Sequence, residues 1–371
     1  MAKKRSTGSD EPPLPAEWKR AFRRRLLAWY RKNKRDLPWR EGRDAYRVWV
    51  SEVMLQQTQV ETVKPYFARF LDRFPTVADL AAADEQDVLR LWEGLGYYRR
   101  ARSLHAAAKQ VVDLHAGVLP ESVAELRELP GVGRYTAGAI ASIAYNRPAP
   151  ILEANTIRLF SRLIAYEGDA TTTTGQKRLW SLAEQVLPAP KPDEPNVSDF
   201  NQALMELGAL VCTPTDPKCT ECPAAAQCRG YGECKLDTLG PTTKKLSFTE
   251  VREAAVVVWH GPKVLLRQCE EGERWAGLWD FPRFPIESEG PLFAADEIAG
   301  KVREQTGVRC TLGPLITTLK HGVTRFRITL DCYRAKRTGG RLTKGEWVEV
   351  EALADRPLSV TGRKLAKLIA P

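Results

Sequence analysis

Residues 128–145 read ELPGVGRYTAGAIASIAY, and the reading of this stretch decides the architecture of the first part of the chain. One helix closes at Leu129 and Pro130, Gly131, Val132 and Gly133 make a turn, and a run of small apolar residues starts another helix. Glycines let a backbone come close to a partner, and the free N–H groups of a new helix favour phosphate. A G-x-G by itself says little. Set between two helices in a basic chain, it reads as a helix-hairpin-helix that grips a nucleic-acid backbone without reading sequence.

Outward from the hairpin, VETVKPYFARFLDRF, DEQDVLRLW, RSLHAAAKQVVDLH and FNQALMELGALV all carry apolar residues at helical spacing, with short Gly/Pro connections between them. Residues 17–235 are therefore expected to be helical, after a disordered lead over residues 1–16 that is basic, polar and Pro-rich. No apolar run approaches the roughly 20 residues of a membrane span, and an intracellular protein is expected. The chain has 371 residues, a length that suits two domains, and a formal net charge of +10, which favours a polyanionic partner. Between Trp18 and Arg40 there are ten Lys or Arg against one acid, Asp36. Interleaved Trp18, Phe22, Trp29, Tyr30 and Trp39 make this segment amphipathic, able to dock on a core with its basic side outward.

Three constellations in the helical part carry chemistry. Cys212, Cys219, Cys222 and Cys228 follow the spacing C-x6-C-x2-C-x5-C on one short loop. Four thiolates so placed suit a zinc ion or a [4Fe–4S] cluster, and spacing leaves the choice open. In SEVMLQQTQ, residues 51–59, Glu52 stands among Trp49, Val50, Val53, Met54 and Leu55. It is either the polar edge of a helix or a buried acid whose pKa burial raises, as a general acid needs. In ILEANTIRL, residues 151–159, Glu153, Asn155 and Thr156 sit where capping groups satisfy a first helical turn. Whether Glu153 also does chemistry is not decided by local rules.

The character changes after the cysteines. Residues 236–250 read as a linker, EAAVVVWHGPKVLLRQ as two strands around a Gly-Pro turn, residues 293–305 as a helix, and VTRFRITLDCYRA as a strand. The expected fold is thus a mainly α part followed by a smaller α+β domain over residues 251–371.

Taken jointly, the cysteine loop, LPGVGRYTAGAI, SEVMLQQTQ, RDLPWR and WEGLGYYRRAR resemble the MutY family of adenine DNA glycosylases, helix-hairpin-helix enzymes with an iron–sulfur loop. The resemblance covers nearly all of the helical part. It implies one [4Fe–4S] cluster on Cys212, Cys219, Cys222 and Cys228. It implies removal of adenine mispaired with 8-oxoguanine or guanine in double-stranded DNA, by a monomer in the cytoplasm and nucleoid. Glu52 becomes the acid that protonates the departing adenine, and Glu153, with Asn155 beside it, the anion that stabilises the sugar cation. The family usually has Asp-Gly-Asn where this chain has Glu153, Ala154 and Asn155. The related endonuclease III has a lysine at the position of Tyr135. Tyrosine cannot form a Schiff base, so a monofunctional glycosylase is expected. A bifunctional pyrimidine-damage lyase and a damage-binding protein with little turnover are the rival readings.

Further roles follow from the same resemblance. Arg35, Trp39, Arg40 and Gln202 match the adenine pocket, Gln57, with Thr58 beside it, and Tyr97 the residues that enter the duplex, and Gly131 and Gly133 the DNA-gripping hairpin. The α+β domain resembles the family's Nudix-like domain, which recognises 8-oxoguanine through H-x-F-[ST]-H. Here the stretch is His321, Gly322, Val323, Thr324, Arg325. His321 and Thr324 are kept, Val323 and Arg325 depart, and discrimination against guanine is the property placed in doubt. Gly300 and Lys301 stand where a Nudix hydrolase needs Arg-Glu, so pyrophosphate hydrolysis is not expected.

Overall fold

Small apolar residues and regularly spaced aromatics make the first part helical, and the computed structural model follows that pattern. It describes residues 14–191, 196–240, 247–287, 291–323 and 325–370, with the backbone alone for 291–293. Residues 1–13 of the expected lead, 241–246 of the expected linker, and Thr324 lie outside the described residues. The chain divides into two units, residues 1–81 with 106–243 and residues 82–105 with 244–371.

The helices run in the order α1 (Ala16–Asn33), α2 (Ala45–Leu55), α3 (Val60–Arg73), α4 (Val77–Ala82), α5 (Glu85–Leu91), α6 (Arg99–His115), α7 (Val123–Leu126), α8 (Arg134–Ile143), α9 (Ala154–Leu163), α10 (Thr173–Val186), α11 (Asn196–Leu210) and α12 (Arg229–Gly232). In the first unit α1, α9, α10 and α11 bury Phe22, Leu26, Phe160, Leu179, Phe200 and Leu207 in one core. Cys212, Cys222 and Cys228 pack against that core from its edge. The basic residues of α1 point outward, as amphipathic spacing requires: Arg20, Arg24, Arg25, Arg31 and Lys32 are exposed while Phe22, Leu26 and Tyr30 are buried. Arg23 is the exception. Its guanidinium donates to the carbonyls of Gln185, Val186 and Leu187 and so satisfies the C-terminal end of α10.

In the second unit β1 (Thr249–His260), β2 (Lys263–Gln268), β3 (Trp279–Asp280), β4 (Arg283–Pro285), β5 (Arg309–Val323), β6 (Phe326–Gly339) and β7 (Glu346–Glu349) form a mixed sheet. The first two are the strands expected around the Gly-Pro turn, with Trp259 opposite Val264. β1 runs parallel to β6, and β5 pairs antiparallel with β6. Parallel pairing with cover on both faces explains the unbroken apolar run in β1. Ala255 and Val257 face a core shared with Leu365, on α14 (Val360–Ile369). Ala254, Val256 and Val258 face Ile298 and Val302, on α13 (Pro291–Thr306). The segment 82–105 belongs to this unit: Arg363 forms an ion pair with Glu93 at 2.7 Å, and the Trp279 indole donates to Gln86 at 3.1 Å.

Candidate active site

Glu52 is on the last turn of α2, between Ser51 and Val53, and only 4% of it is exposed. Its neighbours are apolar, as the sequence suggested, and burial dominates its chemistry. The Tyr135 hydroxyl, from the first turn of α8, donates to Glu52 Oε2 at 2.6 Å. Burial pushes the carboxyl up to about 7 against the opposing pull of that hydrogen bond, and the charge of Glu153 pushes the same way as burial. A carboxylic acid that keeps its proton near neutrality is what protonation of a leaving base requires.

Glu153 is the N-cap of α9, and it makes a full capping box. Its Oε1 accepts from Thr156 N at 3.0 Å, its Oε2 accepts from Asn155 N at 2.9 Å, and its own N–H donates to Thr156 Oγ1 at 2.7 Å. The Asn155 side-chain amide is the carboxylate's third donor, reaching Oε2 at 3.3 Å. Burial raises this carboxyl as well, while the two backbone N–H groups and Arg158 work to keep it ionised. Helix N-terminus and donors together make Glu153 the natural seat of a negative charge. Burial raises both carboxyls, but at Glu153 it is opposed by three donors and Arg158, and at Glu52 by one hydroxyl and the charge of Arg40.

Behind Glu153 lies a polar connection that the sequence reading missed. Arg158 Nη2 donates to Asn155 Oδ1 and to Gly208 O, each at 2.8 Å, and its Nε donates to Cys212 O at 2.7 Å. The buried Arg162, one turn on, donates to Thr213 O at 2.7 Å and points Nη1 at Cys212 Sγ from 3.5 Å. The two arginines are spaced i, i+4 on one helix, a signal visible in TIRLFSRL. Gly208 is required for the approach: a Cβ there would meet the Asn155 Cβ at 2.7 Å.

Cys212, Cys219, Cys222 and Cys228 line one pocket with Leu159, Arg162, Leu163, Val211, Ala224 and Tyr231. The donor set is all sulfur, with Arg162 as the neighbouring cation. Burial pushes the Cys222 thiol up to about 12, and Cys212 and the other two add to that push, so the four are within electrostatic reach of one another. Among the described residues no three His, Cys, Asp or Glu stand close enough together to hold one metal ion. An all-thiol set around an apolar pocket fits an iron–sulfur cluster in chemistry.

Arg35 and Arg40, from the RDLPWR stretch, converge on Glu206, a fully buried acid of α11 that sequence reasoning also missed. Arg35 Nη2 lies 2.8 Å and Arg40 Nη1 2.5 Å from its carboxylate. Glu206 stands four residues after Gln202 in an apolar helix, which is the clue that it faces the same interior. Trp39 is buried and meets Phe67 edge-on at 5.4 Å. Gln202 donates to Ser198 Oγ at 3.2 Å.

The hairpin joins α7 to α8. Gly131 has φ +78°, a conformation only glycine holds without strain, and Gly133 caps α8 with no side-chain hydrogen bond. A Cβ on Gly133 would meet nothing within 4 Å, so its face is open. Gln57, beside Thr58, and Tyr97, in the other unit, both take positive φ, +57° and +48°. The Tyr97 side chain is 51% exposed. Positive φ in non-glycine residues marks constrained backbone of the kind found at functional positions.

In the second unit His321 is on β5 opposite Ile328, and Arg325 is exposed in the turn to β6. Arg283 Nη2 donates to His321 Nε2 at 3.1 Å. Lys301 on α13 pairs with Glu297 at 2.8 Å and donates to Pro285 O, filling a place where a Nudix hydrolase needs an acid.

These two units carry recognised family patterns. Residues 50–185 match the model of the HhH-GPD superfamily base excision DNA repair proteins, and residues 254–368 match the NUDIX domain. The fold and the hairpin therefore place the chain in the helix-hairpin-helix class of base-excision repair proteins. A rat adenine DNA glycosylase is 42% identical over 322 residues, 73% of this chain and 61% of that protein. One from Buchnera aphidicola (subspecies Acyrthosiphon pisum) is 34% identical over 277 residues, 74% of this chain and 78% of that protein. The chain belongs to the adenine DNA glycosylase family. It spans about three fifths of the length of its rat relative. A solved thermostable thymine-DNA glycosylase superposes with a TM-score of 0.53 at 29% identity, over 59% of this chain and 98% of that one.

Proposed function

We propose that the protein is a monofunctional glycosylase that hydrolyses the bond between adenine and deoxyribose where adenine is mispaired with 8-oxoguanine or guanine. The observation that carries this reading is a pair of carboxyls in unlike settings, the buried Glu52 against the Tyr135 hydroxyl and the half-buried Glu153 among the N–H donors at the start of α9. Adenine is a poor leaving group until a ring nitrogen takes a proton, and Glu52 gives up its proton to that nitrogen. The C–N bond then breaks with its electron pair passing to adenine, leaving an oxocarbenium-like sugar. Glu153 stabilises that cation, and a water adds to the sugar carbon and releases a proton, which restores the acid. The products are adenine and an abasic site. Tyr135 has no amine to attack the sugar, so strand cleavage does not follow.

The base must leave the duplex first. Gln57, Thr58 and Tyr97 are the groups we assign to the duplex near the lesion. Gly131 and Gly133 offer backbone N–H groups to phosphates. Arg35, Trp39, Arg40 and Gln202 wall the adenine pocket, with Glu206 holding the two arginines in place. Cys212, Cys219, Cys222 and Cys228 would hold one [4Fe–4S] cluster, which when bound ties the loop into a rigid element. Arg158 hands that rigidity to Asn155 and hence to Glu153. His321, Thr324 and Arg325 face the partner base in our reading, Thr324 lying outside the described residues.

The test is direct. Purified protein is given duplexes with A opposite 8-oxoguanine and A opposite guanine. Free adenine is expected, with a strand that breaks only after alkali. A borohydride-trapped protein–DNA adduct sinks the monofunctional reading, and tight binding without adenine release favours a damage-binding protein. Glu153→Gln is expected to remove most turnover while DNA binding persists. Turnover within twofold of the unsubstituted protein leaves Glu153 as a cap only.

A further inference from the structure

We propose that Arg363, on α14, is a positioning residue for the loop that carries Tyr97. Its ion pair with Glu93 fixes the point from which that loop springs, and so sets how readily a base leaves the duplex when Tyr97 enters it. The inference rests on the reading under Proposed function, which assigns Tyr97 to the duplex. Glu93 and Arg363 stand 270 positions apart in the chain, and both belong to the second unit.

The loop is Glu93, Gly94, Leu95, Gly96 and Tyr97. Gly94, Gly96 and Tyr97 take φ of +103°, +71° and +48°. Glycine holds such angles freely, whereas a tyrosine keeps them only where its surroundings over-determine the backbone. On the outgoing side they do. The indole of the buried Trp92 donates to Gly96 O at 3.2 Å, and Arg100 Nη2 donates to Leu95 O and Gly96 O, each at 3.2 Å. The Arg100 guanidinium lies 5.4 Å from the centroid of the Trp92 ring and 5.8 Å from that of Tyr97. The incoming end of the loop is held by Glu93.

Glu93 follows α5, and its carboxylate meets Arg363 with two prongs. Arg363 Nε donates to Oε1 at 2.7 Å and Nη2 to Oε2 at 2.9 Å. Oε2 accepts from Leu358 N as well, at 3.3 Å. Arg363 is itself fixed, since Nη1 donates to Leu353 O at 2.6 Å and Nη2 to Arg356 O. With these side chains 20% and 16% exposed, solvent screens the pair less than at an open surface, and the guanidinium fork admits one geometry.

The body of α5 is seated without this pair. Gln86, in its first turn, donates to Gly277 O at 3.2 Å and accepts from the Trp279 indole, while Val88 and Leu89 are buried. A Cβ on Gly277 would stand 3.3 Å from Leu89 Cδ1, so helix and sheet meet closely there. Neutral contacts thus dock the helix. What the ion pair adds is a fixed first residue for the loop, and a lysine at 363 would supply the charge without the two prongs.

The experiment uses the full chain and a duplex in which 2-aminopurine, which fluoresces on leaving the stack, replaces the adenine opposite 8-oxoguanine. The rate of the fluorescence rise is read in stopped flow. Arg363→Gln is expected to slow the rise about tenfold, and Arg363→Lys, which restores charge without the fork, to slow it less. On a Tyr97→Ala background, itself slower, Arg363→Gln is expected to slow it less than twofold further, because the two residues act on one event. Glu93→Gln keeps an acceptor for Leu358 N and removes the charge. It is expected to slow the rise about threefold, and it covers the case in which Arg363→Gln melts early. An unchanged rise in either variant, with melting like that of the unsubstituted protein, overturns the proposal. So does a tenfold loss that persists on the Tyr97→Ala background, which marks a contact serving the stability of the unit alone. A Tyr97→Ala protein with an unslowed rise overturns the assignment of Tyr97 and this inference with it. Failure to release adenine from a natural mispair overturns the proposed function and leaves the fluorescence result intact.

Discussion

Two buried glutamates, one in each unit, show how differently the same side chain is used. Glu253, in the sheet unit, is held by Arg283 at 2.5 Å and Arg274 at 2.8 Å. Glu52, in the helical unit, is met by the neutral hydroxyl of Tyr135 at 2.6 Å. Both are nearly inaccessible, at 4% exposure each. A buried carboxylate with two guanidinium partners is already neutralised and fixes geometry. One faced by a hydroxyl and apolar carbon stays expensive to ionise, and its proton is held near neutrality. Proton affinity in this chain is therefore poised where the cation partner is missing, which is the usual mark of a site kept for chemistry.

The strongest way to break that comparison is Glu52→Gln. Losing a general acid costs about 100- to 10,000-fold in rate, so adenine release in single-turnover assays should fall by that range with the fold intact. A rate within twofold of the unsubstituted protein removes Glu52 from the chemistry. The matching change in the other unit, Glu253→Gln, is expected to act on stability. It leaves Arg283 and Arg274 without their counter-charge at a buried site, a loss of about 3 kcal/mol. An earlier unfolding transition in urea would show it, and an unchanged midpoint would mean that the two arginines are already content with other acceptors.

Stability also separates the two residues by sign. The folded protein holds the Glu52 proton up to about 7 where an ordinary glutamate loses it near 4.5. The contribution of the protonated acid is thus fully present below about 4.5 and is lost as pH rises toward 7, a total of about 3 kcal/mol. Glu52→Gln, which cannot ionise, should regain up to about that amount at pH 8 and nothing at pH 4. The variant least able to turn over would then be the more resistant to urea under alkaline conditions. Equal midpoints for the two proteins at pH 8 would show that Glu52 is not strained by ionisation.

Much of this was legible in the residues. The hairpin followed from two glycines between helical runs, and Gly131 indeed takes the positive φ that such a turn needs. β1 was legible because cover on both faces demands an unbroken apolar run. What escaped depends on contacts distant in sequence. Glu206 meets arginines about 170 positions away, and nothing local marks it except an acid inside an apolar helix. Arg158 and Arg162 read as ordinary helix surface until the cysteine loop folds over them. β5 was missed because its register shifts at Cys310, Leu312 and Leu315 break the alternation that marks a strand. The question raised by ILEANTIRL has a double answer: Glu153 makes the capping box and, in our reading, is also the anion, because the groups that cap are the groups that keep a carboxylate ionised.

The finest test of the comparison leaves Glu52 in place and removes what touches it. If the protonated acid is the working form, the adenine-release rate falls as pH rises through about 7. The Tyr135 hydroxyl donates to the carboxylate and so favours the ionised form, pulling the pKa down against burial. Tyr135→Phe removes that pull. The alkaline limb should move to higher pH, by about 0.7 of a unit if the hydrogen bond is worth about 1 kcal/mol. The rate below pH 6 should change less than the position of the limb, because the acid is already protonated there. A limb that stays in place or moves to lower pH would mean that the titrating group is not Glu52, and the contrast with Glu253 would lose its functional meaning.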